Sequence, residues 1–164
     1  SPIMLWSRPD TRVLFVCTEN VCRSPMAEAM LRHRLKSRGL SRRVGVGSAG
    51  THVRQPGQRP DPRVAQVLLA SQCPPVRVRA SQVREGELTR YDLLLAMEAS
   101  HIEILLDLCP PGLEGRVRLV MDYAPGLSGI GVPDPYYGNR QSFVQVHDML
   151  AAALDGLVDQ LGES

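Results

Sequence analysis

The stretch Arg12-Val-Leu-Phe-Val-Cys17-Thr-Glu-Asn-Val-Cys-Arg23-Ser-Pro25 decides the fold. Its first six residues are a short apolar run bounded by polar ones, which reads as a strand buried on both faces. Its end is a helix start, with Ser24 as N-cap and Pro25 at the first helical position. The loop 18–23 between them therefore runs from the carboxyl end of a strand to the amino end of a helix. That junction suits an oxyanion: backbone N–H groups can curl around a tetrahedral anion, and the helix N-terminus adds a positive partial charge. Arg23 can hold two anion oxygens with its planar fork, which Lys could not copy. Ser24 can also donate its hydroxyl toward Cys17. All these groups favour thiolate over thiol and make Cys17 a candidate nucleophile. Out of context, Cys-x5-Arg is a chance spacing and Cys17 a small buried thiol. The strand-to-helix junction and the Ser-Pro that follows favour the chemical reading.

Outward from this stretch, strand-like and helix-like segments alternate. Residues 26–38 place Met26, Ala29, Met30 and Leu35 near one helical face and end at Gly39. A second strand is expected at 44–48, and a helix at 63–71 after the Asp61-Pro62 start. An apolar strand follows at 91–97, a helix at 100–108 and a fourth strand at 117–121. A Gly- and Pro-rich loop fills 124–138. The last helix, 139–161, carries Phe143, Val146, Leu150, Leu154, Leu157 and Leu161 on one stripe. The pattern predicts an α/β fold: a central four-stranded parallel sheet with helices on both faces and a phosphate-binding loop after the first strand.

Length and composition narrow the function. The chain has 164 residues, the size of a single domain of roughly 100–200 residues. At 43% hydrophobic and 22% charged it has the composition of a soluble globular protein, which excludes collagen, coiled coil and bulk disorder. No apolar run reaches the roughly 18 residues of a membrane span, and no signal peptide is visible, so a cytoplasmic location is expected. Secretion without a classical signal is left open. Ser1 is not an initiator methionine; roughly the first ten residues are expected to form a flexible extension, with Met4 a candidate start. A net charge of +2 gives no argument for nucleic acid or membrane partners. The charge is uneven, however: 12 basic and 4 acidic residues through Arg63, then 7 basic and 13 acidic. A positive first half suits an anionic ligand, although a mixed solvated surface gives the same count. The four cysteines, Cys17, Cys22, Cys73 and Cys109, are too sparse for a secreted disulfide scaffold and lack a second close pair for zinc. No metal or cofactor is expected, and a monomer is the default.

The loop motif and a second motif together resemble the low-molecular-weight protein tyrosine phosphatases. Their signature V-C-x-G-N-x-C-R-S-P is met at 16–25 by V-C-T-E-N-V-C-R-S-P. Ser48-Ala49-Gly50-Thr51 resembles the family's second-strand ending, Pro60-Asp61-Pro62-Arg63 its next helix start, and residues 93–97 with Glu98 its apolar strand ending in Met-Asp. Val132-Pro133-Asp134-Pro135-Tyr136-Tyr137-Gly138 matches its general-acid loop. The resemblance covers nearly the whole chain. It implies a phosphotyrosine protein as substrate, with a bacterial tyrosine kinase among the candidates, and inorganic phosphate as product and inhibitor. Cys17, Arg23 and Asp134 would carry the chemistry. Thr18, Glu19, Asn20, Val21, Cys22 and Ser24 would form the phosphate loop. Ser48 would support Asn20, whose side chain tolerates a left-handed backbone. Arg54, Tyr136 and Tyr137 would wall the substrate pocket.

Asp134 makes sense chemically, because the leaving phenolate needs a proton from the side opposite Cys17. Read alone, Pro-Asp-Pro is also good turn chemistry. Cys22 is either a partner for a reversible disulfide with Cys17, as the resemblance implies, or a small buried thiol. Three departures carry expectations. Glu19 stands where the family has Gly, which would strain a positive φ and bring a carboxylate near the substrate dianion. Arg54 replaces an aromatic or apolar rim residue and would favour acidic substrates. Val78 stands where some members carry a His, so the network around Asn20 would differ. Two other readings remain: a non-catalytic phosphate-binding or redox-sensing module, and arsenate reduction. The latter needs a close cysteine relay, which Cys73 and Cys109, 36 positions apart, do not resemble.

Overall fold

A computed structural model describes residues 9–163. Residues 1–8, which hold Met4 and most of the expected extension, lie outside the described residues. Four strands, β1 (Thr11–Cys17), β2 (Val44–Gly50), β3 (Leu93–Ala96) and β4 (Val117–Leu119), form one parallel sheet in the order β2-β1-β3-β4. Five helices accompany them: α1 (Arg23–Ser37), α2 (Pro62–Ala70), the short α3 (Glu85–Leu88), α4 (Ala99–Leu108) and α5 (Arg140–Glu163).

The central strand explains the two-sided core. Val13, Phe15 and Cys17 of β1 face one layer, packed with α1, α2 and α5. Leu14 and Val16 face the other, with Leu88 of α3 and Leu105 of α4. Side chains alternate across a strand, so a strand covered on both faces must be apolar at every position. The α5 stripe from Phe143 to Leu161 is buried along its length, as its spacing predicts.

Element ends shift by one or two residues from expectation, and three features call for a reason. First, α1 begins at Arg23 with Cys22 as its N-cap, and no side chain caps it. The Ser24 hydroxyl is instead used inside the loop. From Arg23 through Leu31 the helix is buried all round, because α2, α5 and the sheet enclose it. Second, β4 stops at Leu119 because Val120–Tyr123 coils into a 3₁₀ turn that buries Val120 and Met121. Third, α3 carries no periodic signal long enough to read. Asp61 does cap α2, accepting from the Arg63 N–H at 2.9 Å.

The chain leaves β1 toward β2 on one side and returns to β3 on the other. That places a crevice at the carboxyl end of β1, where ligands bind in such sheets. Gly50, at the end of β2, backs directly onto the loop that follows β1: a Cβ there would lie 2.6 Å from the Thr18 carbonyl oxygen. Gly50→Ala is therefore expected to cost about 1–3 kcal/mol of overpacking, whereas Gly86→Ala, which meets nothing within 4 Å, costs nothing. Urea unfolding of the two variants checks this.

Candidate active site

Several carbonyls at and after the end of β1 are bound by protein. Those of Cys17, Thr18 and Val21 accept from Thr51, His52 and Asp61 N–H groups at 2.9, 2.8 and 2.8 Å, and that of Cys22 from Met26 at 3.1 Å. Among the described residues, no backbone N–H from Thr18 to Cys22 has a protein acceptor. Carbonyls bound by protein and amides left without a protein acceptor are what an anion cradle requires.

Asn20 sets this curl. It is the loop's one residue at positive φ, +62°, and 1% exposed. Its Oδ1 accepts from Ser81 N at 3.0 Å, which fixes the amide orientation. Nδ2 then donates to Ser24 Oγ at 2.8 Å and Ser48 Oγ at 3.0 Å. Ser48 in turn donates to Glu28 Oε1 at 2.7 Å. Ser24 Oγ, accepting from Asn20, lies 3.0 Å from Cys17 Sγ and can donate its own hydrogen there or to the Ala49 carbonyl at 3.5 Å. Ser81 supplies its contact through the backbone, so a valine at 78 leaves the Asn20 network intact. Sequence reasoning found Asn20, Ser24 and Ser48 but not Glu28, a carboxylate 5% exposed on α1 and paired with Arg32 at 2.9 Å.

Arg23 is 2% exposed. Its Nη1 donates to Glu98, just past β3, and to the Val132 carbonyl at 2.8 Å. Nη2 reaches Thr18 Oγ1 at 3.3 Å and lies 3.8 Å from Asp134 Oδ2. The fork expected for the anion is thus half committed to the protein. Burial alone would raise the Glu98 carboxyl, but the Arg23 guanidinium outweighs it and holds it below the usual range. Thr18 Oγ1 also meets His101 Nε2 at 2.9 Å. Burial, then the Arg23 cation, lowers the His101 pKa to about 4. His101 is a neutral prop under the loop, and sequence reasoning had no signal for it.

Cys17, Thr18, Glu19, Val21, Cys22, Arg23, Asp134 and Tyr136 line one small pocket of about 10 Å³, roughly the space of one water. A cavity of about 520 Å³ beside α2 holds no cysteine, so the smaller pocket, which holds Cys17, is the candidate site. Asp134 Oδ1 accepts from Tyr136 N at 3.1 Å, the turn bond its neighbours predicted. Arg63 clamps the same loop through the Tyr136 and Gly138 carbonyls at 2.9 and 3.2 Å, and Asp61 orients the guanidinium. Tyr136 and Tyr137 meet edge to face at 4.9 Å, Tyr137 being largely exposed. Cys22 is a buried free thiol, and burial, then Asp61, raises its pKa.

Glu19 and Arg54 answer one another. Arg54 Nε and Nη2 donate to the two Glu19 carboxylate oxygens, both at 3.1 Å. Glu19 is not at positive φ, so the expected strain is absent. The hydrogen bonds from Arg54 lower its pKa, and its charge is answered by Arg54 at the pocket rim. For the same reason Arg54 does not present an unpaired charge to a substrate.

Comparison with known proteins places this arrangement. The family described as low molecular weight phosphotyrosine protein phosphatase matches residues 12–164. A low molecular weight protein-tyrosine-phosphatase of Streptomyces coelicolor is 40% identical over 93% of this chain and 94% of its own length. Low molecular weight protein-tyrosine phosphatase A of Mycobacterium tuberculosis is 42% identical over 92% and 91%. A crystal structure of a protein tyrosine phosphatase from Entamoeba histolytica, with Hepes in its active site, superposes with a TM-score of 0.88. It is 31% identical and covers 93% of this chain and 97% of that one. The fold and these relatives define an enzyme of the protein-tyrosine-phosphatase class. Within that class, the chain belongs to the low-molecular-weight family.

Two outcomes follow from the site's electrostatics. Below pH 6.5 an unfolded His takes up a proton that folded His101 refuses until about pH 4, so stability falls as pH drops through that window. Urea unfolding at pH 7 and 4.5 should show wild type losing about 2–3 kcal/mol more than His101→Asn; losses at carboxylates are common to both and cancel. At the rim, Arg54→Ala exposes the Glu19 charge and raises KM for a phosphate monoester dianion about two- to five-fold. Adding Glu19→Gln reverses the rise in the same kinetic assay.

Proposed function

We propose that the protein hydrolyses phosphotyrosine in proteins through a cysteinyl-phosphate intermediate. The observation that carries this is the run of N–H groups from Thr18 to Cys22 without a protein acceptor among the described residues, in a loop that lines one pocket with Cys17 and Asp134. The phosphoryl oxygens take those N–H groups and Arg23 Nη2, displacing its approach to Asp134. Nη1 stays on Glu98 and Val132 and keeps the guanidinium plane fixed. The Cys17 thiolate, holding the Ser24 hydrogen bond, attacks phosphorus. The bond from phosphorus to the tyrosine oxygen breaks, and Asp134 gives its proton to the leaving phenolate. Asp134 then takes a proton from water, which attacks phosphorus. The sulfur–phosphorus bond breaks, returning the thiolate and releasing inorganic phosphate. Tyr136 and Tyr137 form the wall for the substrate ring. A bacterial tyrosine kinase is among the candidate substrates. Every step uses residues of this chain, and the reading needs no metal or cofactor.

Cys22 lines the same pocket as Cys17 and, in this reading, protects it. A peroxide converts the Cys17 thiolate to a sulfenic acid with loss of hydroxide or alkoxide. The Cys22 thiol then displaces water from that sulfenic acid to form the disulfide. Mass analysis after peroxide treatment should find a 17–22 bridge that a thiol reductant reverses. Sulfinic or sulfonic Cys17 without the bridge would reject protection.

Hydrolysis of p-nitrophenyl phosphate with EDTA present tests the main mechanism. Wild type is expected to turn over. Cys17→Ser should abolish activity, and Asp134→Ala should lower kcat about 10²- to 10⁴-fold. Ser24→Ala, which removes a hydrogen bond to a charged sulfur, should lower kcat/KM about 10- to 100-fold. Full activity in Cys17→Ser would sink the mechanism, and an inactive wild type under reducing conditions would favour a phosphate-binding module.

A further inference from the structure

A cavity of about 520 Å³ lies between α2 and residues 75–79. Its floor is apolar: Val64 and Leu68 of α2 on one side, Val76 and Val78 on the other. Arg59, Arg77 and Arg79 line it too, and all three are exposed. Among the described residues none of the three has a carboxylate partner; Arg79 makes a single 3.4 Å contact to the Gly57 carbonyl. The acidic residue in the lining, Asp61, is already committed to Arg63 at 2.9 Å. The groove therefore carries a net positive rim over an apolar floor.

The backbone along it is also open. Residues 73–81 carry no turn, bend or helix, and Val76 to Arg79 alternate half-buried and exposed with a period of two, as a strand does. Ala80 exchanges two backbone hydrogen bonds with Gly57 and Gln58 at 2.8 and 2.9 Å. Before it, the N–H and C=O groups of Val76, Arg77 and Val78 have no protein partner among the described residues. An unpaired extended edge beside pockets for alternate side chains is how a peptide strand is bound.

Neighbouring residues link the groove to the pocket of Cys17. Glu19, Val21 and Tyr136 are shared between that pocket and a rim pocket that includes Gln58, and Arg59 is the next residue in the chain. The Asp61 N–H, on the groove side, holds the Val21 carbonyl of the loop at 2.8 Å.

We propose that this groove docks an extended, acidic stretch of the phosphoprotein substrate, whose carboxylates meet Arg59, Arg77 and Arg79 while its alternate apolar side chains enter between α2 and residues 75–79. The inference rests on the phosphatase reading for the word substrate, but docking itself does not require turnover. Because Arg54 is paired with Glu19, these three arginines, rather than the rim residue, select for acidic sequence.

The first measurement is fluorescence anisotropy with a labelled peptide of alternating Glu and Val, lacking phosphotyrosine. It should bind the wild-type protein and Cys17→Ser alike, weaken with salt, and lose at least tenfold in affinity to Arg59→Glu/Arg77→Glu/Arg79→Glu. The milder triple Arg→Ala variant should lose part of that affinity, so a folding defect in the first variant does not decide the matter. Equal binding to wild type and both variants overturns the proposal. So does equally tight binding of a Gln-and-Val peptide, or of an oligonucleotide of matched charge, since the groove would then not read carboxylates over an apolar floor. The second measurement joins that tail to a phosphotyrosine peptide. The triple variants should raise KM for the tailed peptide about tenfold and leave kcat/KM for p-nitrophenyl phosphate within twofold. An unchanged KM for the tailed peptide counts against docking, whereas failure of wild type to hydrolyse p-nitrophenyl phosphate counts against the phosphatase reading and leaves the anisotropy result to stand alone.

Discussion

Asn20 sits at positive φ so that its amide can reach three elements at once. Ser81 N–H fixes its oxygen, and its two N–H groups go to Ser24 and Ser48. Glu28, a buried carboxylate on α1, takes the hydrogen of Ser48, and Asn20 donates to the oxygen of Ser24, which lies 3.0 Å from the Cys17 sulfur. A single amide thus sets the curl of the loop and holds the Ser24 hydroxyl beside Cys17. A positive φ costs a side chain of ordinary shape roughly 1 kcal/mol or more, and Asn is the non-glycine residue best able to bear it.

Much of this was legible because local rules and global fold agree. β1 is central, so its apolar run is continuous; α5 covers the sheet from one side, so its stripe is regular. Asp61 and Pro62 start α2 by chemistry visible in four residues. What failed to show were contacts between residues far apart in sequence. Glu98 is separated from Arg23 by the whole β2–α2 excursion, and nothing in Met97-Glu98 alone says which cation it meets. In sequence Glu19 and Arg54 are two separate departures, and only the geometry shows that each answers the other. Ser24 illustrates a competition: it has cap chemistry at a helix start, yet sulfur and Asn20 claim its hydroxyl, and Cys22 becomes the N-cap without a side-chain bond.

The site divides labour between rigid and adjustable parts. The loop after β1 is pinned by four protein-bound carbonyls and by Gly50, which lets β2 approach Thr18. The loop carrying Asp134 is held less deeply, by Arg63 from the surface and by Val132. That residue gives its carbonyl to Arg23 and its N–H to the Met97 carbonyl at 2.7 Å. Val132 therefore ties the anion-binding guanidinium to the end of β3. The small volume above Cys17 and the exposed Tyr137 fit the same division: a tight floor for a small anion, with an open wall for a larger group.

The two halves of the pocket also have different histories during folding. Cys17, Asn20, Ser24, Glu28 and Ser48 come from the first third of the chain and meet when β1, α1 and β2 assemble. Glu98, Val132 and Asp134 arrive only when β3 pairs with β1, across a separation of some eighty residues (Val13 opposite Leu93). Non-local parallel pairing of this kind is slow, because a long loop must close before it is rewarded. A nascent chain that has made only β1, α1 and β2 holds the sulfur with Asn20, Ser24, Ser48 and Glu28, but not Ser81, which fixes the Asn20 amide, nor the carboxylates that flank Arg23, nor the proposed acid. On the proposed mechanism, the recovery of turnover during refolding reports closure of the β1–β3 ladder rather than formation of the loop.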